Sequence, residues 1–149
     1  MIVCKFGGTS VADADAIRRA AECVKGRLDR QPVVVVSALA GVTTALLNIA
    51  TQASEGQLIT AVRTVEGLRE RHLAECENLL GPKAGDAYTE ISTLFDEVAA
   101  LAQALSTLGH TTPRSQDAIA AIGERCASLM VVAAFAKLGL PACMWMPAT

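Results

Sequence analysis

The sequence predicts an α/β fold on parallel strands, with long helices forming its middle. Three observations carry that reading. An apolar run at Ile2-Val3-Cys4 is followed by a helical pattern and then by a β-branched run, Val33-Val34-Val35-Val36. Each run ends in a small-residue turn, Gly7-Gly8 after the first and Ser37-Ala38-Leu39-Ala40-Gly41 after the second. Beyond residue 57 apolar residues recur at intervals of three and four, the helical period, until a short apolar stretch closes the chain.

Residues 2–5 read as a buried strand. Ser10-Val11-Ala12-Asp13 has the form of a capping box. A helix then runs to about Leu28, with Ile17, Ala20, Ala21, Val24 and Leu28 inward and Arg18, Arg19, Glu22 and Lys25 outward. Pro32 punctuates. The run Val33 to Val36 has the composition of a parallel strand covered on both faces. The next helix begins near Thr43. A β-α-β crossover is nearly always right-handed and makes the two strands parallel neighbours. Both turns then leave the carboxyl rim of the sheet, where open α/β sheets place ligands. Residues 5–10 and 37–44 are therefore expected to face one crevice.

Leu58, Val62, Val65, His72, Cys76 and Leu79 share one helical stripe, and Ile91, Leu94, Val98, Leu101, Leu105 and Leu108 share another. Gly81-Pro82 breaks the pattern and Gly85-Asp86 restarts it, which makes an antiparallel helical hairpin over about residues 57–108. The seam reads as intramolecular rather than as a coiled coil with a partner. His72 reads as a packed histidine rather than a ligand or base. Gly109 ends the hairpin and Pro113 opens a helix to Lys137, with Gly139 past its end. Ile119, Ile122, Cys126, Leu129 and Ala133 form its apolar face. Asp117, Glu124 and Ser128 lie opposite. That stripe is either a solvated face or, set among alanines, a carboxylate placed to grip an amine. Ala142 to Met146 reads as a further strand.

The length of 149 residues suits one domain. Charged residues make up only 19% and apolar ones 52%, so part of the surface is expected to lie against another subunit or further protein. Net charge is −2 and aromatics are 3%, without a basic stripe, which argues against nucleic acid as a partner. No continuous apolar run reaches the ~20 residues of a membrane span, and the N-terminus lacks a secretory leader pattern. Cys4, Cys23, Cys76, Cys126 and Cys143 are scattered in apolar contexts without a Cys-x-x-Cys pair. They read as reduced core thiols of a cytoplasmic protein rather than metal ligands.

Lys5, at the end of the first strand, stands beside two glycines and a helix start. Bare backbone amides, a helix N-terminus and a mobile cation together describe a phosphate cradle. The alternative is a Gly-Gly turn that serves only the chain reversal. The spacing is neither a P-loop nor Gly-x-Gly-x-x-Gly.

Lys5-Phe6-Gly7-Gly8-Thr9-Ser10, followed by Val11-Ala12, resembles the N-terminal signature of the aspartokinase branch of the amino acid kinase family. Val33 to Ser37 with Ala38-Leu39-Ala40-Gly41-Val42-Thr43 looks like that family's second strand and loop. Thr112-Pro113-Arg114-Ser115-Gln116-Asp117 and Gly123-Glu124-Arg125 look like its later helix. The resemblance covers nearly the whole chain, in the family's order and spacing, helical hairpin included. It implies a parallel-sheet α/β/α sandwich of the carbamate kinase-like type. It also implies transfer of the γ-phosphate of ATP to the side-chain carboxylate of L-aspartate, in lysine, threonine and methionine biosynthesis. Lys5 then neutralises the transferring phosphoryl group, and Gly7, Gly8, Ser10 and Ser37 hold ATP phosphates. Thr43 and Glu124 hold aspartate, with Glu124 on its ammonium. Mg²⁺ is expected on the nucleotide, with no metal site of the protein's own. The family's nucleotide-binding half and ACT domains correspond to nothing here. The chain is therefore expected to be an N-terminal part, not fully active alone, that joins the remainder of a kinase domain in a homo-oligomer. Two other readings stay open: a family member acting on glutamate or a nucleotide, and a non-catalytic interaction module built on the hairpin.

Overall fold

Two parallel strands and five helices make up residues 1–145, the part of the chain described by the computed structural model. They are β1 (Ile2–Phe6), α1 (Ala14–Lys25), β2 (Pro32–Val36), α2 (Val42–Ser54), α3 (Leu58–Leu80), α4 (Gly85–Leu108) and α5 (Pro113–Lys137). β1 and β2 pair in parallel, with Val3 opposite Val33, Lys5 opposite Val35 and Phe6 opposite Val36. The β-α-β unit and the hairpin, α3 and α4, are thus where the sequence places them.

α2 occupies the centre of the helical layer, against α3, α4 and α5. Its Leu46, Ile49, Ala50 and Ala53 are completely buried. Burial of a Leu or Ile side chain of this kind contributes roughly 1.5–3 kcal/mol. α3 and α4 pack on each other and on α2, so each buries a stripe wider than a two-helix seam requires. Ala61, Leu68, Phe95 and Ala102 are buried beyond the expected stripes, while Val62 and Leu108 of those stripes are exposed. α5 buries Met130, Ala134 and Phe135 as well as Ile119, Ile122 and Cys126. It meets the length and hydropathy of a membrane span, with a mean hydropathy of 1.7, although no continuous apolar run in the sequence is that long. Half of that window is buried against the other helices, which accounts for its apolar character in a folded domain.

Four expectations are corrected. The sheet is covered on one face only: Phe6, Val34 and Val36 pack on the core, whereas Val3 is 68%, Val33 47% and Val35 42% exposed. An all-valine strand signals two-sided burial, but among the described residues no second layer lies over that face. Ala142 to Trp145 forms no strand, because extended backbone becomes a strand only beside a hydrogen-bonding neighbour, and β1 and β2 pair only with each other. Met146, the last residue of that expected strand, lies outside the described residues. Ser10 is not the cap of α1. It lies in a 3-10 turn, Gly8–Val11, and Asp13 caps the helix by accepting from the Ala16 amide at 2.8 Å. Finally, α1 stops at Lys25 with Gly26 as its cap, which leaves Leu28 exposed. Thr112 and Ser115 form the capping box that opens α5, with Pro113 in its first turn.

Candidate functional site

Parallel pairing delivers both turns to one rim. The Ser37 amide donates to the Phe6 carbonyl at 3.1 Å, so the ladder continues to the last residue before each turn. The chain after β1 folds immediately into the 3-10 turn, closed by the Ser10 amide on the Gly7 carbonyl at 2.8 Å. The chain after β2 runs over buried Ala38 and Leu39 to Gly41, whose φ of +79° starts α2. Only glycine takes that left-handed conformation without strain.

The two turns touch. A Cβ on Gly8 would stand 2.9 Å from the Ala38 carbonyl oxygen and 3.5 Å from the Ala40 Cα. Gly8 is therefore required by loop-to-loop packing, a reason the turn pattern alone does not show. Gly7, at φ −75°, is exposed and has nothing within 4 Å of such a Cβ, so no packing contact requires a glycine there. Lys5, Ser10 and Ser37 border the same rim. Lys5 is exposed on the uncovered face of the sheet, and Ser37 is half-buried.

α5 is seated on the second turn through Gly123. A Cβ there would lie 3.0 Å from Ala38 Cβ, 3.0 Å from Val42 Cγ1 and 3.1 Å from Leu46 Cδ1. The absence of a side chain at residue 123 brings the helix against the base of the turn, with exposed Glu124 next along it. Thr43, in the first turn of α2, is also exposed. Asp117 is exposed and Ser128 half-buried on the same stripe of α5. Arg125, beside Glu124, is engaged with Glu97 of α4 at 2.8 Å. Among the described residues neither Lys5 nor Glu124 has an ion-pair partner.

One functional candidate was missed. Arg71 of α3 donates from Nη1 to the Ala40 carbonyl at 3.0 Å and from Nη2 to the Ala12 carbonyl at 3.2 Å. Glu75, one helical turn on, accepts from the Ala14 amide at 2.8 Å. In the sequence both look like solvated charges of an amphipathic helix. Nothing in the sequence separates them from the other charges of α3, since their partners Ala12, Ala14 and Ala40 are distant along the chain. His72 itself is fully buried against Phe95, the rings 5.0 Å apart, and its Nδ1 donates to the Leu68 carbonyl at 2.7 Å. Nε2 then carries a lone pair without a partner among the described residues. Burial pushes the His72 pKa below its ordinary 6.5, which favours the neutral ring expected of a packed histidine. A groove of about 570 Å³ lies at the tip of the hairpin, lined by Glu77, Pro82, Tyr88 and Thr89, not at the two turns.

The sequence profile of the amino acid kinase family matches residues 1–147. The lysine-sensitive aspartokinase 3 of Escherichia coli is 33% identical over 132 residues, covering 89% of this chain and 28% of that enzyme. A bifunctional aspartokinase/homoserine dehydrogenase of Arabidopsis thaliana chloroplasts is 29% identical over 97% of this chain and 16% of that protein. Among solved structures, E. coli aspartokinase III in complex with aspartate and ADP superposes with a TM-score of 0.80 at 31% identity, covering 93% of this chain and 29% of that one. The same enzyme in complex with lysine and aspartate gives 0.81 at 30% identity over 95% of this chain. The chain thus spans less than a third of the length of each of these relatives.

Proposed function

The chain belongs to the amino acid kinase family, and from that premise we propose that it supplies the phosphate-binding and amino-acid-binding side of an aspartate kinase. A side-chain carboxylate oxygen of L-aspartate attacks the γ-phosphorus of ATP, the bond to the β-phosphate oxygen breaks, and ADP leaves with that electron pair. The product is 4-phospho-L-aspartate, a precursor for amino-acid biosynthesis. The acceptor is ionised at neutral pH, so the site needs position and charge rather than a strong base. Lys5 neutralises the phosphoryl oxygens. Gly7 and Gly8 offer backbone amides, Ser10 and Ser37 hydroxyls. Thr43 and Glu124 hold aspartate, Glu124 through its ammonium. Mg²⁺ supplies further charge neutralisation on the ATP phosphates. Mg²⁺ prefers oxygen ligands and commonly binds through substrate phosphates, so the nucleotide oxygens are its proposed ligands.

The observation that carries this reading is the contact of the two turns at Gly8, with Lys5 and Ser37 at the same rim and Gly123 seating α5 beside them. The solved relative holding aspartate and ADP supports the choice of ligands. The exposed Val3, Val33 and Val35 are proposed to be covered by the rest of a larger kinase domain, in a homo-oligomer of the cytoplasm.

Backbone NMR of the chain titrated with L-aspartate and with MgATP tests the assignment. Aspartate should move the Thr43 and Glu124 amides, and MgATP those of Gly7, Gly8 and Ser10. Silence at all five, or stronger shifts with L-glutamate than with L-aspartate, overturns it. Transfer itself is read by trapping the acyl phosphate with hydroxylamine, after the chain is completed with the downstream part of the E. coli relative. Aspartyl hydroxamate is the expected product, and glutamyl hydroxamate in its place would reassign the acceptor.

A further inference from the structure

We infer that Arg71 is a positioning residue that sets the spacing between the two turns, and so between the phosphate and amino-acid subsites; this rests on the reading of the site given above. Among the described residues its guanidinium is the one side-chain group that hydrogen-bonds to both connections. Nη1 binds the Ala40 carbonyl, three residues before Thr43, and Nη2 binds the Ala12 carbonyl, two residues after Ser10. The planar fork of arginine fixes the two nitrogens relative to each other, so the carbonyls they hold are fixed as well. Gly8 brings the turns into contact at one point, and Arg71 ties them at a second. Two points define a spacing where one would leave a hinge.

Arg71 is itself held. It is half-buried on α3, whose neighbouring residues His72 and Cys76 are locked in the hairpin core. Glu75 accepts the Ala14 amide at the start of α1, and Arg18 of α1 donates to the Asn78 carbonyl of α3. One edge of α3 is therefore laced along the segment that leads from the first turn into α1. The hairpin acts as the frame of the site although it contributes none of the groups assigned to touch a ligand. In-line transfer between two separately bound groups is sensitive to such a frame, since a displacement of about 1 Å costs on the order of 10²-fold in rate.

The test is Arg71→Met, which keeps the aliphatic stem and removes both donors, together with Arg71→Lys, which keeps the charge on a single nitrogen. Amide hydrogen exchange of the ligand-free chain is followed at Ser10 and Val42, whose amides bond within the two turns, and at α4 amides as controls. In Arg71→Met, exchange at Ser10 and Val42 should quicken about tenfold with α4 unchanged, and the Kd for L-aspartate should rise about tenfold. Arg71→Lys should fall between the two on both measures. Should Arg71→Met not fold, Arg71→Lys carries the test, and wild-type exchange and Kd in that variant overturn the inference. A uniform rise in exchange that includes α4 also overturns it, because it marks a purely structural arginine. If the wild-type chain binds neither L-aspartate nor MgATP, the functional reading fails, while the exchange data still judge the spacing on their own.

Discussion

Gly8→Ala is the sharpest perturbation of the candidate site, because the atom it meets cannot rotate away. The new methyl would stand 2.9 Å from the Ala38 carbonyl oxygen, and Ala38 is almost completely buried. Ordinary carbon-to-oxygen contact lies a few tenths of an ångström farther, so the turns must separate by about that much. Overpacking of this kind costs about 1–3 kcal/mol. At this chain length each kcal/mol lowers Tm by about 2–4 °C, which puts the loss between about 2 and 12 °C. Gly7→Ala is the internal control. Its φ of −75° suits alanine and nothing lies within 4 Å of the added carbon. There the loss of unfolded-state freedom should leave stability equal or raise it by about 0.4–1 kcal/mol. Scanning calorimetry reads both variants, and MgATP titration reads the same pair for ligand. Gly7→Ala should weaken MgATP with no loss of Tm, since the methyl fills open space beside the backbone proposed to meet phosphate. Gly8→Ala should lower both affinity and Tm. An unchanged Tm in Gly8→Ala, or a larger drop in Gly7→Ala, would refute the packing argument.

Lys5→Ala, in a chain completed for turnover, should cut phosphoryl transfer by several orders of magnitude with little change in Tm, because the side chain is exposed and unpaired among the described residues; near-normal turnover removes its assigned role. His72 should make stability depend on acid. Its folded pKa lies below the unfolded value of about 6.5, so the unfolded chain binds the extra proton. Its contribution is complete above that pH and is lost as pH falls from there through the folded value. His72→Phe should flatten Tm between pH 7 and 5, and an unaltered slope would assign the acid sensitivity elsewhere. Thiol labelling should divide the cysteines: Cys23 and Cys143 are exposed and should react in the native chain. Burial pushes Cys76 up to about 11 and Cys126 up to about 12, so both should react only on unfolding.

The parts of the fold written in local chemistry were legible. Two apolar runs with small-residue turns located both strands, and the pairing rule for β-α-β units placed their ends together. Gly81-Pro82 and Gly109 marked the hairpin, because glycine there takes a positive φ. What was not legible depends on partners distant in sequence. The four valines of β2 carry no sign of which face a second layer covers. Ser10 and Asp13 are both good caps, and the 3-10 turn that decides between them depends on the packing of Gly8 against Ala38. Arg71 is indistinguishable from Arg69 or Arg63 until the fold shows that it alone reaches Ala12 and Ala40.

The contacts of Gly123 and Arg71 also account for why the candidate site, at the rim of a small sheet, comes with so much helix. A two-stranded sheet is too small to hold its own turns in register. Here α5 presses on the second turn from one side through Gly123, and α3 ties both turns through Arg71. Both helices pack on α2, which begins at the second turn and runs through the core. The geometry of the rim is therefore set by the interior of the helical layer. Substitutions that enlarge residue 123 should act on the site through Ala38 and Val42 without touching a ligand. Gly123→Ala, which must displace three side chains at about 3 Å, is expected to disturb the amide shifts of Thr43 more than those of Gly7. Equal disturbance at both would mean that the turns move as one body, and that Arg71 rather than α5 governs them.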